Sequence, residues 1–446
     1  MAHNTHEILS IEEKFEFTSE TKRKLLIASL IGVAMVAIGA FLLSQGWSIG
    51  VWESHGAEHV AGGHEAAGGH AEHGGEHGAT LFSRIIANLW MNSVYFLGIS
   101  VVGAFFISYN FVAKSGWYVS IKRVAEAFPS FVVVPGAILL ILMAIPSTRH
   151  VVMHWTHDGI MDSASEHYDK IIAGKSWYLN LPFFFVRLIA YITVWYFGWK
   201  AIRKYSLAED QEEGTENYYK GRNASKLFLL FFAVTASTSA WDLSMVIDTH
   251  WFSTMFGWYH LASWHVAGLA AMMLAILFLK DQGYLKVVNE SHLHDLGKLI
   301  FGFSVFWTYV WFSQYLLIFY ANLPEETIYF RERFTGFEGR YWWPFHVSFV
   351  LNFFCPLLIL MARNSKRRPT FLKLACSLIL IGHWFDFYQM HMPGIAKSQA
   401  GIGIIEWGTT LTFASLFIYF VANELSKANM YPKNHPFLEE SLHHDI

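Results

Sequence analysis

Residues 226–280 read KLFLLFFAVTASTSAWDLSMVIDTHWFSTMFGWYHLASWHVAGLAAMMLAILFLK. Two apolar runs, 226–247 and 258–280, flank a short polar turn. Each run matches the roughly 20 residues that cross a bilayer as a helix. In lipid the backbone must satisfy its own hydrogen bonds, so an open chain can cross only as helix. Yet each run contains an ionisable residue, Asp242 in the first and His265 in the second. A charge near the middle of a membrane helix costs about 2.5–3.5 kcal/mol on insertion scales, so such side chains face a bundle interior and usually a task.

Outward from this pair, the same window finds ten spans: 25–45, 83–112, 124–146, 181–203, 226–247, 258–280, 296–320, 341–362, 371–390 and 404–424. The composition agrees. Of 446 residues 54% are hydrophobic and 15% charged, against roughly 25% charged in an ordinary soluble domain. That balance excludes a soluble enzyme and gives no basic surface for nucleic acid. The reading is an all-α integral membrane protein of ten transmembrane helices.

Organisation follows from the spans. A polar cytoplasmic arm (1–24) ending in Lys22-Arg23-Lys24 precedes an anchor helix (25–45) without a small-residue cleavage site, which reads as a retained signal anchor. A loop (46–82) follows, its stretch 53–79 built of Gly, Ala, Glu and His, with His55, His59, His64, His70, His73 and His77. His-rich tracts can bind zinc or copper, but Gly richness preorganises nothing, so the loop reads as a solvated linker. Residues 83–247 form a first four-helix bundle, 248–390 a second, and 391–446 the last helix and a cytoplasmic tail. An internal duplication is hinted at by Trp177-Tyr178…Pro182 against Tyr341-Trp342-Trp343-Pro344, and by Trp241 and Trp384, each followed 23 residues later by another tryptophan, Trp264 and Trp407. Basic clusters Lys22-Arg23-Lys24, Lys122-Arg123, Arg203-Lys204 and Arg363 to Arg368 all fall on the side of the termini. Positive residues stay inside, so the termini are cytoplasmic. Asp242, His265, Arg187, His346, His383, Asp386 and Glu406 then all lie in the outer halves of their helices.

These residues suggest chemistry. Adjacent antiparallel helices would bring His265 within reach of Asp242, and a carboxylate beside an imidazole can take a proton and tune the acceptor. An interhelical hydrogen bond acting as polar glue explains the same pair. Arg187 is the simplest counter-ion for Asp242. His383 and Asp386 share a helix face, and Glu406 and His346 at matching depth would complete a second proton-capable cluster. The residues Glu126, His292, His294, Asp295 and Lys298 read as ordinary interfacial groups, and 205–225 as a polar loop. Cys355 and Cys376 lie in different apolar runs, too few for an iron–sulfur site. Bis-histidine haem needs imidazoles paired across the bundle, whereas these lie near one face, so no metal or cofactor of the chain's own is expected.

Ten spans, both termini inside and proton-active residues near one face resemble the polysulfide-reductase membrane subunits, the NrfD-like family. The stretch HDLGKLIFGFSVFWTYVWFSQYLLIFYANLPEET (294–327) and the His/Gly/Ala loop are more specific, and are similar to the F subunit of bacterial alternative complex III. The resemblance spans 83–424. It implies a multi-pass subunit of a respiratory quinol:cytochrome c or quinol:oxidase oxidoreductase in the bacterial inner membrane. Its partners would be a homologous NrfD-like membrane subunit, periplasmic iron–sulfur and c-type haem subunits that hold the redox centres, possible contact with a terminal oxidase, and lipid. Quinone or menaquinone would be the ligand in its vicinity. Aligning the tryptophans sets Asp242 against Phe385 rather than Asp386, a departure from a strict repeat. A purely structural anchor, or an ion- or proton-coupled transporter with helix breaks at Pro129 and Pro135, are the competing readings.

Overall fold

In the computed structural model, which describes residues 13–47, 50–51 and 81–445, ten helices are long and apolar enough to cross a membrane. They are α1 (Ser19–Ser44), α2 (Leu81–Ala113), α3 (Trp117–Ala144), α4 (Leu181–Ala208), α5 (Glu216–Ile247), α6 (Phe256–Asp281), α7 (Glu290–Ala321), α8 (Trp342–Leu360), α9 (Pro369–Ile395) and α10 (Ile404–Leu425). Among the described residues, strand is confined to the two-residue pair β1 (Gly50–Val51) and β2 (Ile402–Gly403). The expected all-α membrane protein is what forms. The linker reading of 53–79 lies outside the described residues.

Helix α2 is the hub. It packs on α3, α5, α6, α9 and α10, so the helices of the two expected bundles share an extensive face. Gly98 permits the closest crossing: a Cβ there would stand 1.8 Å from the Trp264 ring of α6. Helices α1 and α10 pack along each other, and Gly32 and Gly408 let their backbones meet. Small residues at a helix crossing are a common membrane solution, because lipid supplies no hydrophobic drive for association. The Met430 amide donates to the Glu13 carbonyl at 2.8 Å, so arm and tail meet on one face. That termini face also carries the turns 114–116, 209–215, 282–289 and 361–368. The long connections 145–180 and 322–341 lie on the opposite, long-loop face.

Two helices are irregular. In α3 a 3-10 segment, Phe128–Phe131, contains Pro129. In α8 a π-turn, Val350–Phe354, immediately precedes Cys355-Pro356. Pro356 has no N–H for the Asn352 carbonyl and its ring crowds that carbonyl, and a π-turn relieves the conflict. Gly382 of α9 makes room for the displaced side chain: a Cβ there would lie 2.3 Å from Asn352 Oδ1.

This irregularity positions a cleft. Beyond the π-turn, α8 packs on α7, whereas its first turns, Trp342–Phe349, lean onto α9 instead. On the long-loop side the gap between α7 and α8 is bridged by rings, with Trp311 at 5.2 Å from Phe345 and 5.5 Å from Phe349. The short helix Pro324–Phe334 closes it from the long-loop face, starting after Asn322 in the left-handed region (φ 50°) and ending before Gly336.

Candidate functional site

Asp386 lies in this cleft with Tyr259, Trp307 and Gln389, under Tyr329 and Arg333 of the short helix. The free interior of the cleft is about 20 Å³, room for one water molecule and little more. The Asp386 carboxylate accepts hydrogen bonds from the Tyr259 hydroxyl, from Ser263 Oγ at 2.6 Å and from Trp307 Nε1 at 3.1 Å. His383 sits one turn away, its Nδ1 at 3.5 Å from Asp386 Oδ2, but the geometry makes no hydrogen bond and both ring nitrogens stay unpartnered and buried. The expected His383/Asp386 pairing is thus a close approach rather than a bond. Arg333 fixes the roof. It donates to the Gln389 carbonyl at 2.9 Å, to the Tyr329 carbonyl at 2.8 Å and to Asp248 at 3.0 Å, and it lies 3.3 Å over the Tyr329 ring. Trp251 stacks on Tyr329 at 3.9 Å.

The other candidates go elsewhere. Arg187 Nε and Nη2 hold Asp242 at 2.7 and 3.0 Å, and Tyr191 donates to it at 2.6 Å. The expected Arg187 counter-ion is in place; the expected Asp242–His265 pair is not. The α-helical part of α5 ends at Leu243, one residue after Asp242, whereas His265 lies nine residues into α6. At 1.5 Å per residue that separates them by about 12 Å along the axis. His265 packs instead against Phe105, Tyr109 and Phe303, both ring nitrogens unpartnered. His260, four residues into α6, reaches the end of α5: its Nε2 and that of His391 each lie 3.0 Å from Ser244 Oγ.

Glu406 does not join Asp386 either. It is held by Arg84 at 2.8 and 2.7 Å, by Asn88 at 2.8 Å and by the Gly403 amide at 2.9 Å, a closed pair between α2 and α10. His346 is exposed, its ring 4.1 Å from Trp342 and turned away from the interior. Helix α8 turns that face outward because Pro344 and Ser348 take the buried one.

Sequence reading missed two features. Arg84, the second residue of the expected span 83–112, was not singled out. Glu126 read as interfacial, yet it is wholly buried, with Arg123 at 2.9 Å, Arg203 at 3.4 Å and a short bond from Ser206. Lys122 and Glu209, 3.3 Å apart, extend this buried network, so 205–225 is mostly helix rather than a polar loop. Burial pushes the Glu209 carboxyl above its ordinary value, and Lys122 pulls it back only in part. The i,i+3 and i,i+4 spacing of Arg123 and Lys122 to Glu126 was the available signal.

Among the described residues, no three His, Cys, Asp or Glu side chains are grouped to hold a metal. A scan against models of known protein families finds no match, and a search of curated proteins finds no relative.

Proposed function

We propose that the chain is an integral membrane subunit of a respiratory quinol-oxidising complex, in which the Asp386 cleft meets the quinol headgroup and takes part in moving its protons. The observation that carries this reading is a buried carboxylate in an aromatic-walled cleft between two diverging membrane helices. A quinol is flat, lipid-soluble and gives up protons on oxidation, so it needs apolar walls and a proton acceptor within hydrogen-bond reach. Asp386, with three of about four lone-pair directions used, retains one. His383, beside it and unpartnered, can carry a proton onward. Redox centres, as c-type haem and iron–sulfur clusters, would belong to periplasmic partner subunits, and the sister NrfD-like subunit would lie alongside.

By contrast, Asp242 and Glu406 are each held by two hydrogen bonds from an arginine, with Tyr191 and Asn88 donating besides. They support a structural role, and proton handling narrows to Asp386 and His383.

The test is Asp386→Asn in the assembled complex. The amide nearly preserves shape but cannot take a proton, and loss of a general base typically costs 10²–10⁴-fold in rate. Assembly should stay normal while quinol-driven turnover falls at least tenfold. Normal turnover and proton release from pH 5 to 9 would overturn the reading.

A further inference from the structure

Three polar groups around the cleft have hydrogen-bonding capacity that the protein does not use. Gln389 donates its Nε2 to the Tyr341 carbonyl at 2.6 Å, and its Oε1 is buried without a partner. The bond to Tyr341 fixes the orientation, since flipping the amide would set two acceptors face to face. Gln314, 3% exposed and also lining the cleft, makes no side-chain hydrogen bond among the described residues. Asp386 Oδ1 accepts the Tyr259 hydroxyl, while Ser263 and Trp307 both donate to Oδ2. One lone pair of Oδ1 is therefore free. Buried polar groups left unpaired are costly and rare.

Both amides stand on one side of the carboxylate. Gln389 follows Asp386 by three residues on the same face of α9, which sets it about 4.5 Å nearer the long-loop face. Gln314 comes seven residues, about two turns, after Trp307, the α7 residue that bonds Asp386. The free interior they border is about 20 Å³. A water molecule needs at least about 10–15 Å³ of free volume and two to four polar partners. Both conditions are met. The donor and acceptor counts also agree. Water gives two hydrogens, to Gln389 Oε1 and Asp386 Oδ1, and accepts one from the Gln314 amide. Aromatic walls, with Trp311, Phe345 and Phe349 among them, confine it there.

We propose that the cleft binds one water molecule, held by Gln389 and Gln314 against Asp386, and that Asp386 exchanges its proton through that water. The binding follows from the geometry, and its task rests on the quinol reading above. A headgroup at the mouth of the cleft, between α7 and α8, then needs no direct contact with the carboxylate, since a base can act through one water. The second lone pair of the water faces the incoming O–H. That O–H bond breaks, the water takes the proton and passes one of its own to Asp386, and the water is restored. Gln389 and Gln314 are positioning residues, because they touch the water and not the reacting oxygen.

The test joins a map of the assembled complex to two variants. A cryo-electron-microscopy map that shows ordered water should place one peak about 2.7–3.2 Å from Asp386 Oδ1, Gln389 Oε1 and the Gln314 amide. A map with no peak there, or with one that misses Asp386, overturns the inference. Thermal unfolding supplies a sign. Gln314→Leu is close in volume and removes the amide. In a dry cleft it would relieve a buried unpaired group and raise the unfolding midpoint. With water bound it removes a partner, so the midpoint should fall, and a rise overturns the inference. Gln314→Leu and Gln389→Met should each lower quinol-driven kcat about tenfold, the loss of one hydrogen bond, with KM within about twofold. Unchanged kcat in both ends the relay and with it the inference. Normal turnover of Asp386→Asn sinks the proposed function whatever the map shows. A map without the peak sinks the water and leaves that function to its own test.

Discussion

Arg187 gives two hydrogen bonds to Asp242 and a third to the Tyr178 carbonyl, and its guanidinium lies 3.8 Å over the Tyr178 ring. Removing the carboxylate therefore strands a buried cation, which typically costs 3–5 kcal/mol. Asp242→Asn should lower the thermal unfolding midpoint of the purified protein. The double substitution Arg187→Met/Asp242→Leu should recover most of the loss, because a buried pair replaced by apolar residues of similar volume is often neutral. An Asp242→Asn protein as stable as wild type would instead return Asp242 to the proton-handling set. In the sequence Asp242 and Asp386 look alike, each an acid near the outer end of an apolar run, one and two residues respectively after a tryptophan. Their partners separate them: Arg187 and Tyr191 of α4 in one case, Tyr259, Ser263 and Trp307 of α6 and α7 in the other. The Arg187 partnership was legible because an unpaired intramembrane arginine is untenable. Tyr259 was not, because one tyrosine among 20 carries no periodic signal, whereas Gln314 is visible as a polar residue within an apolar run.

At the scale of elements, hydropathy located all ten membrane helices, since length and apolarity alone decide a span. Helix ends and interruptions were less legible. The end of α5 at Leu243 depends on the backbone at Ser244, and the π-turn of α8 on one proline acting on the preceding turn. The tryptophan spacing misled as well: Trp384 stacks on Trp407 at 5.2 Å, whereas Trp264 meets Trp195 and His260. The C-terminal tail is an element no hydropathy window sees. His435 inserts among Phe111, Tyr118 and Tyr218, and its Nδ1 accepts the Phe437 amide at 3.2 Å, so the ring is docked neutral. Burial, with Lys122 and Arg123 nearby, pushes the imidazole well below its ordinary 6.5. A folded value below the unfolded one means that docking is at full strength above pH 6.5 and weakens as pH falls below it. Hydrogen-exchange protection of 429–445 should accordingly drop between pH 7.5 and 5.5. The decisive comparison is His435→Gln, which cannot titrate and should flatten the fall; equal pH profiles for the two proteins would exclude His435 as the cause.

For the whole molecule, sidedness decides which compartment the Asp386 cleft adjoins. The contact of Glu13 with Met430 and the even number of membrane helices put both ends of the described chain on one face. That face holds the exposed cations of Lys22-Arg23-Lys24. Lys122, Arg123 and Arg203, by contrast, are neutralised within the buried Glu126 network. Arg23 of α1, together with the run Arg363 to Arg368, still outweighs the long-loop face, where Arg333 is consumed by Asp248, whereas Lys24 is paired with Glu20 at 2.6 Å. The positive-inside rule would place the termini face in the cytoplasm and the long-loop face in the periplasm, and we propose that orientation. In that orientation the helix Pro324–Phe334 would face the periplasm, with Glu325 exposed on it and Thr327 buried beneath. A cysteine at Glu325, in a background carrying Cys355→Ala and Cys376→Ala, should react with an impermeant maleimide in intact spheroplasts lacking the partner subunits. Its counterpart at Glu213, exposed in the 209–215 turn, should react only after the membrane is broken. The reverse pattern would put the cleft beside the cytoplasm, and a quinol site releasing protons outward from Asp386 would be untenable.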